Sequence, residues 1–278
     1  MTTLLAWLSV DQQGPSAVNI ITDSKLTWPP ESYTWDCARK TFATRSSSDI
    51  FGYWGEALFP SLMLGTVCDF ADRNLLWAND ASAFERHQFL YKFLQDMHPD
   101  GGNRPTRSIY DFGIIHAAKD GCGNQSTFRV WQIDYDARQG QWSDRELEET
   151  QQNLESSKII ALRGSGRSAF NEIRKRADPG QMSTARSLFW SFCDLLERGG
   201  DTATGGAPQL VSIDRASKGR VLGIAINGQR YLQGIPVDFH RSLEDISWVD
   251  ERFQTIHPQT LERRSNAPRY GRGKPGDD

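Results

Sequence analysis

The strongest constraint in this sequence lies within its first 22 residues, where two strand-like runs follow one another almost from the start. Residues 3–10 and 17–22 are rich in apolar and β-branched side chains, and residues 12–16 carry turn chemistry between them. These runs predict a hairpin. Chain ends are usually loose unless a sheet ties them down, so residue 2 is expected to be held in place. The apolar run lacks the positive n-region and small-residue cleavage site of a signal peptide.

The rest of the chain reads as alternating groups of strands and helices. After a loop marked by Trp28-Pro29-Pro30 come an extended piece at 40–44 and a buried strand at 50–54. Residues 56–71 and 82–97 place apolar side chains at helical spacing: Leu58, Leu62 and Val67, then Phe84, Phe89, Leu90 and Phe93. Prolines break the chain at 99–105. Strands are expected at 108–118 and 126–135, and the polar run 143–157 reads as a surface connection or short helix. A short strand at 158–162 leads through Arg163-Gly164-Ser165-Gly166 into a helix at 167–177, stopped by Asp178-Pro179-Gly180. A helix at 183–197, a glycine-rich stretch at 199–206 and strands at 209–214, 221–226 and 230–232 follow. Residues 263–278, rich in Arg, Gly, Pro and Asp, read as a mobile tail. Grouped strands and grouped helices imply an α+β protein of two stacked antiparallel sheets flanked by paired helices.

Composition narrows the function. With 38% hydrophobic and 24% charged residues, the 278-residue chain has the balance of a globular protein. A net charge of -3 gives no sign of a nucleic-acid binder. No run approaches the ~18 apolar residues of a membrane span. The four cysteines (Cys37, Cys68, Cys122, Cys193) form no CxxC pair, which argues against a zinc site or disulfide framework and for a cytoplasmic setting.

Thr2 carries the chemistry of interest. With Met1 removed, it holds a hydroxyl and a free α-amine whose ordinary pKa is about 7.7–8.0, so that one residue supplies both nucleophile and base. Four other segments accompany it: Thr22-Asp23-Ser24-Lys25-Leu26-Thr27, Arg39-Lys40-Thr41, residues 159–169 (IIALRGSGRSA) and residues 200–206 (GDTATGG). In order and near-spacing these resemble proteasome β-subunits and the bacterial HslV-type peptidases, the N-terminal-nucleophile (Ntn) threonine hydrolases. The likeness runs from Thr2 to about Leu232.

The resemblance implies a four-layer α-β-β-α Ntn-hydrolase sandwich over residues 1–235, with a C-terminal extension at 236–278. It makes Thr2 the nucleophile and base, with Asp23 pairing Lys40, whose charge favours the attacking alkoxide. Ser165, Asp201 and Thr204 would orient the amine; Thr204 stands where the family usually has serine. The Gly55 N–H, in a Gly52–Gly55 turn opening a helix, would receive the oxyanion. Thr27 would pair with the substrate main chain, and Leu26, Ala38 and Tyr53 would line the specificity pocket. Each has a plainer use as well: Asp23 as a turn residue, Lys40 as a solvated edge lysine with Arg39 competing for its role, Ser165 as helix-start chemistry. Trp54 and Glu56 depart from a stretch of small residues in the family, and residues 98–157 are longer than their counterpart. The resemblance further implies a peptide or protein substrate, a ring-like homo-oligomer, an ATPase unfoldase as one allowed partner, and no metal or organic cofactor. Two alternatives stand beside it: an Ntn amidase acting on a small molecule, and a catalytically silent structural ring subunit.

Overall fold

Strand β1 (Thr3–Asp11) is buried along most of its length, and its alternating side chains serve two different cores. The computed structural model describes residues 2–28, 33–98, 110–149, 154–176, 183–238 and 245–265. Met1, Pro29-Pro30, the proline-marked break at 99–105, the helix stop at Asp178-Pro179-Gly180 and the tail beyond 265 lie outside them. The chain continues through β2 (Gly14–Thr22), β3 (Leu26–Trp28), β4 (Tyr33–Trp35), β5 (Thr41–Ala43), β6 (Asp49–Gly55), α1 (Leu58–Asp72), α2 (Ala83–Met97), β7 (Phe112–Asp120), β8 (Thr127–Asp136) and β9 (Gln141–Glu149). It ends through β10 (Lys158–Gly164), α3 (Arg167–Lys175), α4 (Ala185–Arg198), β11 (Gln209–Asp214), β12 (Arg220–Ile226), β13 (Gln229–Leu232), β14 (Ile235–Pro236), β15 (Ser247–Asp250) and β16 (Thr255–Ile256).

The larger sheet runs β10-β1-β2-β11-β12-β13-β14, and the smaller runs β5-β6-β7-β8-β9. The neighbours along both paths are antiparallel. Leu4, Ala6, Leu8 and Ile20 pack against Ile50, Ile115 and Val130 of the smaller sheet. Leu5, Trp7 and Ile21 point the other way, onto Phe170, Leu188 and Phe192 of α3 and α4. Phe51, Tyr53 and Ile133 on the outer face of the smaller sheet meet Leu64, Val67, Leu90 and Leu94 of α1 and α2. The two sheets are therefore stacked face to face, with a helix pair on each outer surface. Strands covered on both faces read as nearly continuous apolar text, and fully burying each large side chain stabilises the fold by about 1.5–3 kcal/mol. The sheets approach closely at Gly52, where a Cβ would run into Ile20 and Leu4.

Local chemistry sets the helix ends. Ser82 and Glu85 form a reciprocal capping box at α2. Thr184 caps α4, which stops at Gly199 in the left-handed region (φ 62). At α1 the Glu56 carboxylate reaches back to accept from the Leu58 and Phe59 N–H groups. Among the described residues, no helix is long and apolar enough to cross a membrane.

Two expectations are corrected, and the extension beyond 235 gains strands. The polar run from 143 is not a connection or helix: residues 141–149 form β9, paired along β8. It is the edge of its sheet, and its largely solvent-facing side chains hide the strand behind polar text. Gly52–Gly55 is the end of strand β6 rather than a turn opening a helix, because α1 begins only at Leu58. Beyond residue 235 the chain adds β15, parallel to β12, and β16 beside it. Trp248 and Ile256 there are buried with Ala225.

A second polar network lies under α2. Arg86 binds the Asp49 carboxylate through Nε at 2.9 Å, and His116 Nε2 contacts the same carboxylate at 3.0 Å. His116 meets His87 (Nδ1 to Nδ1, 3.0 Å), and His87 Nε2 reaches Asp144 at 2.9 Å.

Candidate functional site

Thr2 sits at the head of β1, which is fixed by β2 on one side and β10 on the other. It is only 1% exposed, and its hydroxyl has no hydrogen-bond partner among the described residues. The Thr2 carbonyl accepts from the Ser165 N–H at 3.1 Å. Because a buried polar atom without a partner is uncommon and costly, this hydroxyl calls for an explanation that packing does not supply.

The next residue gathers the surrounding groups. Thr3 N donates to Asp23 Oδ1 at 3.0 Å, and Gly166 N donates to Thr3 Oγ1 at 2.9 Å. The hydroxyls of Thr3 and Thr204 are 2.6 Å apart. Ser165 and Thr204 both donate to Asp201 Oδ2, at 2.5 and 2.6 Å. Burial raises the Asp201 carboxyl, but these two hydrogen bonds, with the Ala203 N–H among the other opposing contributions, leave the group below its ordinary range.

Asp23 is fully buried and accepts from four donors. Oδ1 takes Thr3 N and Lys40 Nζ (3.0 Å), and Oδ2 takes Lys25 N and Gly205 N at 3.2 Å each. Lys40 Nζ also donates to the Lys25 carbonyl. Burial pushes the Asp23 carboxyl up and the Lys40 ammonium down, against the attraction of each for the other. The alternation at the head of β5 turns Lys40 inward. Arg39 is exposed, donates to the Thr41 carbonyl and lies 4.2 Å over the Phe42 ring.

Thr2, Trp54, Gly55 and Ser165 line one cavity of about 650 Å³. Gly55 adopts φ +90, where a side chain would be strained and a Cβ would overlap the Asp111 carbonyl. Tyr53 N donates to the Lys40 carbonyl and Glu56 N to the Asp111 carbonyl, so strand alternation directs the Gly55 N–H toward the Lys40 side. A second cavity, also of about 650 Å³, shares Gly55 and Asp111 with the first and is lined by Leu26, Thr27, Trp28 and Leu58. The Thr27 hydroxyl is buried there without a partner.

Two expected pocket residues are elsewhere. Ala38 is buried with its N–H bonded to the Ser24 carbonyl and its carbonyl to Gln209 Nε2. Tyr53 faces the α1–α2 core, and its hydroxyl donates to the Arg39 carbonyl. Neither lines the two cavities, because residue 53 falls on the helix-facing side of β6.

Two further residues hold the site and were not anticipated. Thr3 bridges the Asp23 and Thr204 groups, and its signal is only the doubled threonine at 2–3. Gln209 accepts from Lys40 N and donates to the carbonyls of Asp23 and Ala38. A long polar side chain opening the otherwise apolar strand QLVSID was its one mark. Among the described residues, no three His, Cys, Asp or Glu side chains are grouped to hold a metal ion. Compared with known protein families and with curated proteins, the chain matches no family model and no curated protein.

Proposed function

We propose that this protein is a threonine-type amide hydrolase of the proteasome and HslV kind, built on the four-layer α-β-β-α Ntn fold, with Thr2 as nucleophile once Met1 is removed. The observation that carries the reading is the buried Thr2 hydroxyl, unpartnered among the described residues, in a cavity beside the Asp23–Lys40 pair and the Ser165–Asp201–Thr204 chain. The helix–sheet–sheet–helix packing supports the same fold.

In this mechanism the freed α-amine takes the hydroxyl proton as Oγ1 attacks a substrate carbonyl carbon. The resulting oxyanion is met by the Gly55 N–H. The protonated amine then gives its proton to the departing amine, the C–N bond breaks, and an ester on Thr2 remains. Water, deprotonated by the same amine, hydrolyses that ester. Lys40 adds positive charge on the Asp23 side of the site, and Ser165, Asp201 and Thr204 orient the amine. Thr27 and Leu26 belong to substrate binding through the second cavity.

The substrate proposed is peptide or unfolded protein, within a ring-like homo-oligomer that an ATPase unfoldase would feed. Exposed Leu58, Leu62 and Phe89 on the α1–α2 pair support self-association. All four cysteines are free, in keeping with a reducing cytoplasmic setting. Trp54 and Trp28, one at each cavity, favour a second reading in which the site is closed down around a small amide.

Intact mass before and after incubation with a peptide epoxyketone or β-lactone tests the proposal. Loss of Met1 and one covalent adduct, absent in Thr2→Ala, is the expected result. A mass retaining Met1 with no adduct overturns it and leaves a silent relative.

A further inference from the structure

Beneath α2 the hydrogen-bond chain from Asp144 to Asp49 demands more protons than two neutral histidines hold. His87 Nε2 lies 2.9 Å from Asp144, His87 Nδ1 lies 3.0 Å from His116 Nδ1, and His116 Nε2 lies 3.0 Å from Asp49. Each contact is at hydrogen-bond distance and needs one proton between its heavy atoms. A neutral imidazole brings one N–H, and an ionised carboxylate brings none. Two neutral rings thus supply two protons for three contacts. Whichever tautomers they take, one contact sets lone pair against lone pair, and both rings are fully buried, where an unmade bond is costly.

Charge balance leads to the same number. Asp49 and Asp144 bring two negative charges, and Arg86, bound to Asp49 through Nε at 2.9 Å, brings one positive. One further proton makes the cluster neutral and leaves no buried charge uncompensated. Imidazole is a stronger base than carboxylate, so that proton goes to the rings. Their setting suits positive charge: His87 stacks on Trp131 with centroids 4.3 Å apart and planes 7° from parallel, and His116 stacks on the same indole at 5.4 Å. The other ionisable groups around the chain are engaged elsewhere. Arg129 on β8, 5.2 Å over the Trp131 ring, pairs with Glu146 of β9, and Lys119 of β7 donates to the carbonyls of Asp214, Arg215 and Ser217. Asp120 lies 3.9 Å from Arg86 Nη1, and the Tyr91 phenol of α2 is raised by burial and then by Asp144, which keeps it neutral.

We propose that the two rings together hold three protons, and that the third is the latch fastening α2 to β7 and β9. The inference goes beyond the proposed hydrolysis and does not rest on it. Without the third proton, the chain loses one of its three bonds, and with it a tie between the helix and the sheet or between the rings and their carboxylates. Histidine has an ordinary pKa of about 6.5, so above that pH the unfolded chain lacks a proton that the folded cluster keeps. The stability this proton contributes is full below about pH 6.5 and is lost as pH rises. A fourth proton is refused: burial, with His87 and Arg86 beside it, lowers His116 to about 4.

Nitrogen NMR of the histidine-labelled full chain at about pH 7.5 counts the protons, with His87→Gln and His116→Gln assigning the rings. Three of the four ring nitrogens are expected to be protonated. In Asp144→Asn the new amide donates its own N–H to His87 Nε2, so all three contacts are met with two ring protons, and the count is expected to fall to two. Urea unfolding reads the latch: from about pH 7 to 8 the unfolding constant of the wild type should rise about 10-fold more than that of Asp144→Asn. Two protonated ring nitrogens in the wild type, or a wild-type pH slope that persists in Asp144→Asn, overturns the proposal. Adduct formation on Thr2 is read separately and stands or falls without bearing on this count.

Discussion

Two buried charge networks stabilise opposite ends of the smaller sheet's surroundings, and they are finished differently. Under α2, Asp49 is met by Arg86 and His116, and the two histidines pass the contact on to Asp144. Arg86 spends its remaining donors on the carbonyls of Ala81 and Lys119. At the head of β1, Asp23 is equally well served, but its neighbourhood ends in the hydroxyl of Thr2, which has no hydrogen-bond partner among the described residues. One network is closed on itself and the other is left open at a cavity. An open end of this kind is what the proposed chemistry would use, and the closed network has no counterpart to it.

That contrast yields an ordered set of expectations. The largest effect is Thr2→Ala: turnover falls by at least about 10³-fold, while stability shifts by less than about 1 kcal/mol, because the lost hydroxyl has no partner. Peptide hydrolysis and urea unfolding on the same preparation would check both halves. Lys40→Ala removes turnover too, and it costs about 3–5 kcal/mol by leaving Asp23 buried and unpaired. Asp49→Ala carries a similar destabilisation of about 3–5 kcal/mol, but the rate per folded molecule stays within about 2-fold of wild type. A rate collapse there would mean that the closed network feeds the open one.

The pH dependence is next in size. Burial lowers His116 from 6.5 to about 4, with Asp49, Arg86 and His87 around it and Trp131 stacked beside it. Between those values the unfolded chain binds a proton that the folded protein refuses. Stability therefore falls as pH drops from 6.5 toward 4, by on the order of 3 kcal/mol in total. Denaturation midpoints in His116→Gln should lose most of that slope. The smallest expected effect is Arg39→Ala, at less than about 0.5 kcal/mol with an unchanged rate, since that side chain is exposed. A rate loss there with Lys40→Ala still active would move the charge from Lys40 to Arg39.

Legibility followed burial. The β1–β2 hairpin could be read directly from its apolar runs, and α2 and α4 from apolar side chains at helical spacing. Strand β9 could not, since an edge strand with one wet face carries as many charges as a loop. Strands β15 and β16 are short and separated from the rest by residues 239–244, so no local pattern announced them. At the site, Asp23, Lys40, Ser165, Asp201 and Thr204 were legible as motifs in order, and the structure groups them around Thr2 and Thr3. Tyr53 lies on the helix-facing side of β6, a choice of face set by the sheet stacked against it, and Ala38 lies ahead of β5. Thr3 and Gln209 act through their bonds to others, and such bonds leave no spacing to recognise.

Strand β1 has one neighbour a few residues away and another, β10, more than 140 residues further along the chain. Asp23 and Lys40 can meet early, but Ser165, Asp201 and Thr204 arrive only after most of the polypeptide has been made. Contacts so distant in sequence close slowly. For the proposed chemistry, this order of assembly acts as a safety catch: a half-made chain lacks the groups proposed to arm its threonine.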